Sequence, residues 1–181
     1  MNVLPTSIRD VLILEPRVFG DERGFFYESY NDRDFHKATG LSPRFVQDNH
    51  SRSARNVLRG LHYQVRAAQG KLVRATIGEV YDVAVDLRKN SPTFGEWTAH
   101  VLSDENHHML WVPAGFAHDF LVTSDYAEVQ YKATDYYAPE FERCLVWNDP
   151  QLAIPWPVAG EPVISGKDRE GRRLGEVEVF E

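Results

Sequence analysis

The sequence predicts an all-β protein folded as an antiparallel sandwich or barrel. Runs rich in Val, Tyr, Phe, Trp and Thr recur at short intervals along the chain, as is typical of short strands. Turn residues separate these runs, and only one stretch has the signals of a helix. Strands that follow one another with so little helix between them favour antiparallel pairing over a parallel α/β sheet.

Each strand candidate is an apolar or alternating run bounded by turn residues. The clearest two flank Gly78 and Glu79, and in the second of them every other residue from Tyr81 to Leu87 is apolar. Two such runs joined by a short turn predict a β-hairpin over residues 71–88. The candidates in chain order are residues 11–14, 25–30, 45–50, 58–64, 72–77, 80–87, 96–102, 108–112, 118–122 and 128–134.

A short helix is predicted near residues 31–40. Asn31 can cap its N-terminus, Asp32 and Asp34 lie in its first turn, and Gly40 marks its end.

The C-terminal part of the chain differs in composition from the rest. After Pro150 it is rich in Pro, Gly and charged residues, which predicts an irregular tail over residues 150–181 wrapped on the barrel. Too little apolar sequence remains there for another domain, so we expect a single domain over residues 1–181.

Composition and charge narrow the classes of function. The chain has 181 residues, 43% of them apolar, with 20 Lys and Arg against 27 Asp and Glu and a net charge of −7. This balance excludes a disordered chain and a membrane protein and argues against a nucleic-acid surface, although it is compatible with an anionic small ligand where cations gather. Because no run is apolar enough to cross a bilayer and the N-terminus lacks signal-peptide features, we expect a cytoplasmic location.

The histidines raise the question of a metal site. Residues 113–118 match Pro-x-Gly-x-x-His, which resembles the second half of the metal-binding motif of cupins. The first half is altered, since Tyr63 and Gln64 follow His62 where a second histidine would stand, and Lys71 occupies the place of a carboxylate ligand. A cation there repels a divalent metal, so the sequence predicts no metal site.

Lys71 and His62 instead suggest enolate chemistry. A positive charge can stabilise a developing enolate oxygen, and an imidazole with a pKa of about 6.5 can remove a proton from a carbon next to a carbonyl. Asp168 is a candidate to orient the ring. On a regular strand Arg59 and His62 would point to opposite faces, so we expect a bulge or twist at Gly60 that brings both into one pocket.

Ordered blocks along nearly the whole chain closely resemble the dTDP-4-dehydrorhamnose 3,5-epimerase family. The resemblance implies a cupin-like antiparallel jelly-roll barrel that binds a dTDP-sugar and needs no metal and no other cofactor. It also implies a homodimer with a shared active site, in which strands from residues 1–30 are exchanged with the partner subunit. The blocks are residues 18–26, 45–51, 57–64, 69–74, 113–118, 131–137 and 147–150.

The resemblance assigns the chemistry to four residues. His62 matches the base that removes the protons at C3 and C5 of the sugar, Asp168 matches its carboxylate partner, and Tyr131 matches the acid that returns a proton. Lys71 matches the residue facing the C4 oxygen. Inversion of a carbon needs two groups on opposite faces of the ring, which a histidine base and a phenol acid can supply.

A larger set is implied to bind the nucleotide. Within it, Tyr137 would stack on thymine, and Arg23 and Glu28 would come from the neighbouring subunit. Arginine suits the diphosphate because its guanidinium forms forked hydrogen bonds to phosphate oxygens. The full set is Arg23, Glu28, Gln47, Asp48, Asn49, Arg59, His118, Tyr137, Glu142 and Lys167.

Three other residues with reactive side chains are interpreted as structural. Asp82 and Asp86 are assigned to paired surface or structural charges, because Arg74 and Arg88 are near them. Cys144 is assigned to a structural thiol, because no histidine or helix start adjoins it in sequence.

The expected function is therefore conversion of dTDP-4-dehydro-6-deoxy-D-glucose into dTDP-4-dehydro-L-rhamnose, a step in dTDP-L-rhamnose biosynthesis. One alternative is a relative that inverts only C3 or only C5 for another dTDP-deoxysugar, since it would need the same base and cation. More distant alternatives are a metal-dependent cupin oxygenase and a non-catalytic module that binds sugar nucleotides.

Overall fold

The computed structural model describes all 181 residues and consists mainly of strands. Two α-helices are present, α1 (Asp32–Thr39) and α2 (Gly166–Arg169), together with short 3-10 helices at Pro139–Phe141 and Leu174–Glu176. None of the helices has the length and apolar character required to span a membrane. The strands are β1 (Asn2–Pro5), β2 (Leu12–Glu15), β3 (Phe19–Asp21), β4 (Gly24–Phe26), β5 (Gln47–Ala54), β6 (His62–Gln64), β7 (Lys71–Ile77), β8 (Glu79–Asp86), β9 (Trp97–Ser103), β10 (Met109–Val112), β11 (Phe116–Val122), β12 (Tyr126–Ala133) and β13 (Glu142–Cys144).

Two antiparallel sheets make up the barrel. The first has six strands in the order β1-β2-β10-β7-β12-β5, and the second has five in the order β13-β6-β11-β8-β9. Strands β3 and β4 form a separate hairpin. The predicted all-β antiparallel architecture is confirmed.

The inner faces of the two sheets form the main core. Val73, Leu110 and Val129 of the first sheet belong to the same buried cluster as Val80 and Phe120 of the second. Alternation along each strand sends these side chains inward, and their removal from water is the main favourable term that holds the sheets together.

The C-terminal segment covers the outer face of the five-stranded sheet. Leu152, Trp156 and Leu174 from this segment pack in one cluster with Val83 and Leu121 of the sheet. This packing brings α2 to the end of β6, so residues distant in sequence reach the same place.

Helix α1 begins and ends where its sequence predicts. The Asn31 side chain accepts a hydrogen bond from the backbone N–H of Asp34 at 3.2 Å, and Gly40 ends the helix with φ of 74°. Phe35 is fully buried and fixes the helix against the first sheet.

The predicted hairpin at Gly78 is wrong, because β7 and β8 lie in different sheets. Strand β7 pairs with β10 and β12, whereas β8 pairs with β9 and β11. Gly78 has φ of 71° and turns the chain from one sheet into the other. Local alternation is the same in a hairpin and at such a corner, so the pattern could not distinguish them.

Two other strand predictions are too long. Within the predicted strand 25–30 only Phe25 and Phe26 pair, as part of β4, since the chain then leads into α1. The predicted strand 58–64 is regular only over His62–Gln64, because Gly60 has φ of 71° and interrupts it.

The corner at Gly78 provides a test of this fold. A Cβ at Gly78 would lie 2.1 Å from the carbonyl oxygen of Tyr126, whereas a Cβ at Gly40, with nearly the same φ, meets nothing within 4 Å. We therefore expect Gly40→Ala to lower the free energy of unfolding by about 1 kcal/mol and Gly78→Ala to lower it by more than about 3 kcal/mol. Urea unfolding of both variants measures the difference, and equal losses would show that close packing does not constrain the corner.

Candidate active site

A polar cavity of about 90 Å³ opens between the two sheets at one end of the barrel. Six of the residues singled out from the sequence line it, contributed by both sheets and by the segments beside them. They are His62, Lys71, His118, Tyr131, Tyr137 and Glu142.

His62 lies between two carboxylates. Its Nδ1 is 2.7 Å from Oδ2 of Asp119, and its Nε2 is 2.7 Å from Oδ1 of Asp168. Burial alone would lower the pKa of His62, but the hydrogen bonds to the two carboxylates outweigh it and raise the pKa to about 12. The expected contact between His62 and Asp168 is therefore present, and Asp119 is a partner that the sequence analysis missed.

The backbone before His62 is irregular, as expected at Gly60. Besides its positive φ, Gly60 has no room for a side chain, since a Cβ there would lie 2.6 Å from Oδ2 of Asp119. The backbone N–H of Arg59 donates to the carbonyl oxygen of Phe120 in β11, whereas that of Leu61 donates to the carbonyl oxygen of Leu145. The chain therefore pairs with different segments before and after Gly60. The Arg59 guanidinium donates to the hydroxyl of Ser53 and does not line the cavity beside His62, although its charge acts on Tyr131 there.

Lys71 and Tyr131 lie together on the six-stranded sheet. The Lys71 Nζ is 5.7 Å from the centroid of the Tyr131 ring. Burial, reinforced by the negative charge of Asp119, raises the pKa of Tyr131 to about 12, so the phenol keeps its proton at neutral pH. Burial lowers the pKa of Lys71, and this is opposed by the surrounding carboxylates, chiefly Asp119.

His118 forms a buried pair with Asp82. The His118 Nε2 is 2.8 Å from Oδ1 of Asp82, which is completely buried on the neighbouring strand. Asp82 is therefore a paired structural charge, one of the two predicted possibilities, but its partner is a histidine and not an arginine. Asp86 does pair with Arg88 at 2.7 Å, which confirms its structural interpretation.

Tyr137, Glu142 and Lys167 meet at the mouth of the cavity. The Tyr137 hydroxyl donates to Oε2 of Glu142 at 2.6 Å, and the Lys167 ammonium contacts the same oxygen. The backbone N–H of Tyr137 donates to the side-chain oxygen of Gln47 at 3.0 Å. Tyr137 is 54% exposed, so its ring is free to stack on a planar group.

Strand β5 divides its three candidate residues between two faces. Gln47 and Asn49 share the face of Tyr131, and the Gln47 amide donates to the Asn49 side chain. The Asn49 side-chain nitrogen is buried and has no hydrogen-bond partner. Asp48 points to the other face, where Lys132 donates to it at 3.0 Å, so its side chain lies away from the cavity.

Arg23 and Glu28 also lie away from the cavity. The Arg23 side chain is 89% exposed at the turn of the β3–β4 hairpin and pairs with Asp21. Glu28 is exposed and contacts the side chain of Asn31 at 3.3 Å. Within one chain these two residues take no part in the site.

Two of the residues around His62 were not found from the sequence. Asp119 shares its face of β11 with Ala117 and Leu121, which pack under the C-terminal segment, and a side chain at Gly60 would collide with its carboxylate. Cys144 pairs with His62 across β13 and β6, so a histidine lies beside it in space although none adjoins it in sequence. No sequence signal marks either contact, because both depend on strand pairing.

The potential metal-ligand atoms of His62, Cys144 and Asp168 lie within 4.8 Å of one another, a spacing at which three side chains could bind one metal ion. Two of those atoms, Nε2 of His62 and Oδ1 of Asp168, already share a hydrogen bond. The absence of a metal site, expected because Lys71 replaces a ligand, remains a prediction.

Comparison with known proteins identifies the family. The family model described as dTDP-4-dehydrorhamnose 3,5-epimerase matches residues 5–176. An enzyme of that name from Pseudomonas aeruginosa is 62% identical over 99% of both chains.

Solved structures agree with this assignment and with the predicted cupin-like jelly-roll fold. A 3,5-epimerase from Legionella pneumophila, solved in complex with dTDP-4-keto-L-rhamnose, superposes with a TM-score of 0.95 at 50% identity, covering 98% of this chain and 94% of that one. The 3′-monoepimerase ChmJ from Streptomyces bikiniensis, solved with dTDP-quinovose, gives a TM-score of 0.89 at 34% identity over 97% and 88% of the two chains. From its sequence and its fold alike, the chain belongs to the dTDP-4-dehydrorhamnose 3,5-epimerase family.

Proposed function

We propose that the protein inverts C3 and C5 of dTDP-4-dehydro-6-deoxy-D-glucose and releases dTDP-4-dehydro-L-rhamnose, a step in dTDP-L-rhamnose biosynthesis. The main support is that an imidazole and a protonated phenol face one cavity from opposing sheets, with an ammonium group beside the phenol. The family membership and the near full-length identity to epimerases support the same activity.

Each inversion proceeds through an enolate. His62 removes the proton from C3 or C5, the electrons move onto the C4 oxygen, and Tyr131 delivers a proton to the other face of the same carbon. The phenol suits this role because burial keeps it protonated. Both carbons flank one ketone, so the single cation of Lys71 can stabilise both enolates.

The groups at the cavity mouth bind the nucleotide. Tyr137 stacks on the thymine, and the buried amide of Asn49 offers an unused hydrogen-bond donor close by. Arg59 contributes positive charge for the diphosphate. The remaining binding groups are Gln47, Asp48, His118, Glu142 and Lys167, with Asp48 acting through its backbone because its side chain faces away.

The enzyme works as a homodimer in which the neighbouring subunit supplies Arg23 and Glu28. In the single chain, strands β1 and β2 pair with each other and with β10, whereas the β3–β4 hairpin, which carries Arg23, belongs to neither of the two large sheets. That hairpin exposes the side chains of Phe25 and Phe26, the latter at 68%. Contact of such an apolar patch with water is unfavourable, and a second subunit would remove it by covering both rings.

The remaining features follow from the chemistry. Proton transfer through an enolate needs only acid, base and positive charge, so the enzyme uses no cofactor and no metal. The chain acts as one domain, with the tail supplying Asp168 and Lys167. A charged nucleotide sugar does not cross a bilayer unaided, which favours a cytoplasmic location for the enzyme.

The first test follows the two carbons separately by NMR in deuterated water. Wild-type enzyme should incorporate deuterium at both C3 and C5, whereas His62→Asn should reduce exchange at both by about 10³-fold while leaving dTDP affinity nearly unchanged. His36→Asn, at an exposed helical position, is the control. Exchange at one carbon in wild type would instead indicate a monoepimerase like the one from Streptomyces bikiniensis, and exchange retained in His62→Asn would exclude His62 as the base.

Tyr131→Phe separates the acid from the base. Without the phenol hydroxyl, proton removal continues but delivery to the opposite face is lost, so net inversion should fall by about 10²-fold or more while loss of the substrate proton falls much less. Both rates are measured in the same deuterium experiment. Tyr126→Phe, at an exposed position on the same strand, is the control, and equal damage to both rates by Tyr131→Phe would contradict the acid role.

Subunit mixing tests the shared site. Arg23→Ala and His62→Asn should each be nearly inactive alone, but a mixed dimer would hold one complete site, built from His62 of one subunit and Arg23 of the other. Random assortment of equal amounts should then restore about a quarter of wild-type activity. Activity no higher than the average of the two variants would show that Arg23 does not act across subunits.

A further inference from the structure

Both ring nitrogens of His62 are occupied by carboxylates. A neutral imidazole has one N–H donor and one acceptor nitrogen, whereas an ionised carboxylate can only accept. Two contacts of 2.7 Å, one to Asp119 and one to Asp168, are therefore both hydrogen bonds only when the ring is an imidazolium that donates twice. A doubly donating ring has no lone pair with which to remove a proton from carbon.

The charges around His62 favour a protonated ring that is paired with ionised carboxylates. Burial would raise the pKa of Asp119, but the hydrogen bond and charge of His62, together with the charges of His118 on β11 and Lys71 on β7, hold it below its ordinary value. His62 also faces Cys144 and Glu142 of β13, Tyr137, Tyr131 of β12 and Asp168 of α2.

The two carboxylates differ in where they lie. Asp119 lines the cavity together with His62, and its side chain is 14% exposed. Asp168 is not part of the cavity lining and faces a separate cleft beside Trp147 and Arg169. Of the two hydrogen bonds, only the one at Nδ1 is on the side that a sugar can enter.

We propose that Asp119 is a positioning residue that holds His62 as a doubly hydrogen-bonded imidazolium in the empty site and must release Nδ1 before the ring can act as base. On release the Nδ1 proton leaves to water and the carboxylate turns away, so that a lone pair faces the cavity. Asp168 keeps its bond to Nε2–H throughout and fixes the tautomer. Asp119 thus sets the pH at which the base becomes available.

The direct test is an NMR titration of the His62 ring in the substrate-free protein, comparing wild type with Asp119→Asn. The amide keeps the shape of the side chain but removes its charge, so the His62 midpoint should fall by at least about one pH unit, from a wild-type value well above that of a free histidine. Exposed His36 serves as an internal reference. A wild-type midpoint near the ordinary value, or one that the substitution does not move, would overturn the proposal.

The second readout is the pH profile of kcat/KM for epimerisation. Because only neutral His62 can accept a proton, the acid limb should move to lower pH in Asp119→Asn, and the rate at pH 7 should rise at least about tenfold relative to the alkaline plateau. A residue with a merely structural role would lower the rate at every pH without moving the limb, which would also overturn the proposal. Asp125→Asn, at an exposed turn, is the matched control.

Asp119→Ser provides a second variant in case Asp119→Asn does not fold. Serine keeps a small hydrogen-bonding group without charge, so the His62 titration midpoint and the acid limb of the pH profile should both move in the same direction as in Asp119→Asn. The catalytic half of this inference rests on the proposed function of His62 as base. A His62 titration that shifts as expected in a protein without epimerase activity would contradict the proposed function and leave the Asp119 contact established. An active enzyme whose His62 titration and acid limb are both unmoved would contradict the role of Asp119 alone.

Discussion

Charge buried inside an apolar barrel has to be paired, and this constraint shapes the whole site. The inner faces of the two sheets are apolar along most of their length, but at one end they enclose Lys71, His118 and Asp82, with Asp119 and Asp168 close by. An isolated ion there would be prohibitively destabilising, so the two histidines are paired with carboxylates, and Lys71 lies within the field of the same carboxylates. His118 pairs with Asp82, and His62 bridges two carboxylates. The pairing that makes the polar end stable also fixes the side chains that can move protons.

The position of these groups depends on one backbone irregularity and on the covering tail. Gly60 lets the chain change neighbours, so that His62 joins the five-stranded sheet while the space beside it remains open to the Asp119 carboxylate. The tail packs its apolar residues on the outer face of that sheet, and this packing holds Asp168 against the other side of the ring. Stability and site geometry are therefore linked, since loosening the tail would also release the imidazole.

The same electrostatic arrangement separates acid from base. The phenol of Tyr131 is kept protonated by burial and by nearby negative charge, whereas the state of His62 depends on how many carboxylates it contacts. Lys71 lies beside the phenol and near the carboxylates. From this position its positive charge can offset the carboxylate charges in the substrate-free site and stabilise an enolate oxygen during the reaction. The hairpin with Arg23 lies apart from this centre and has exposed aromatic residues, consistent with a site completed by a second subunit.

The sequence by itself determined the all-β class, the capped helix after Asn31 and, through its blocks, the family. These features are local, because alternation, capping residues and motif spacing are all contained in short segments. Tertiary structure decided that the strands around Gly78 belong to different sheets, that Asp48 faces away from the cavity, and that Asp82, Asp119 and Cys144 lie beside the histidines. Strand pairing and glycine geometry set these contacts over long sequence separations, and no local pattern encodes which strand a residue will face.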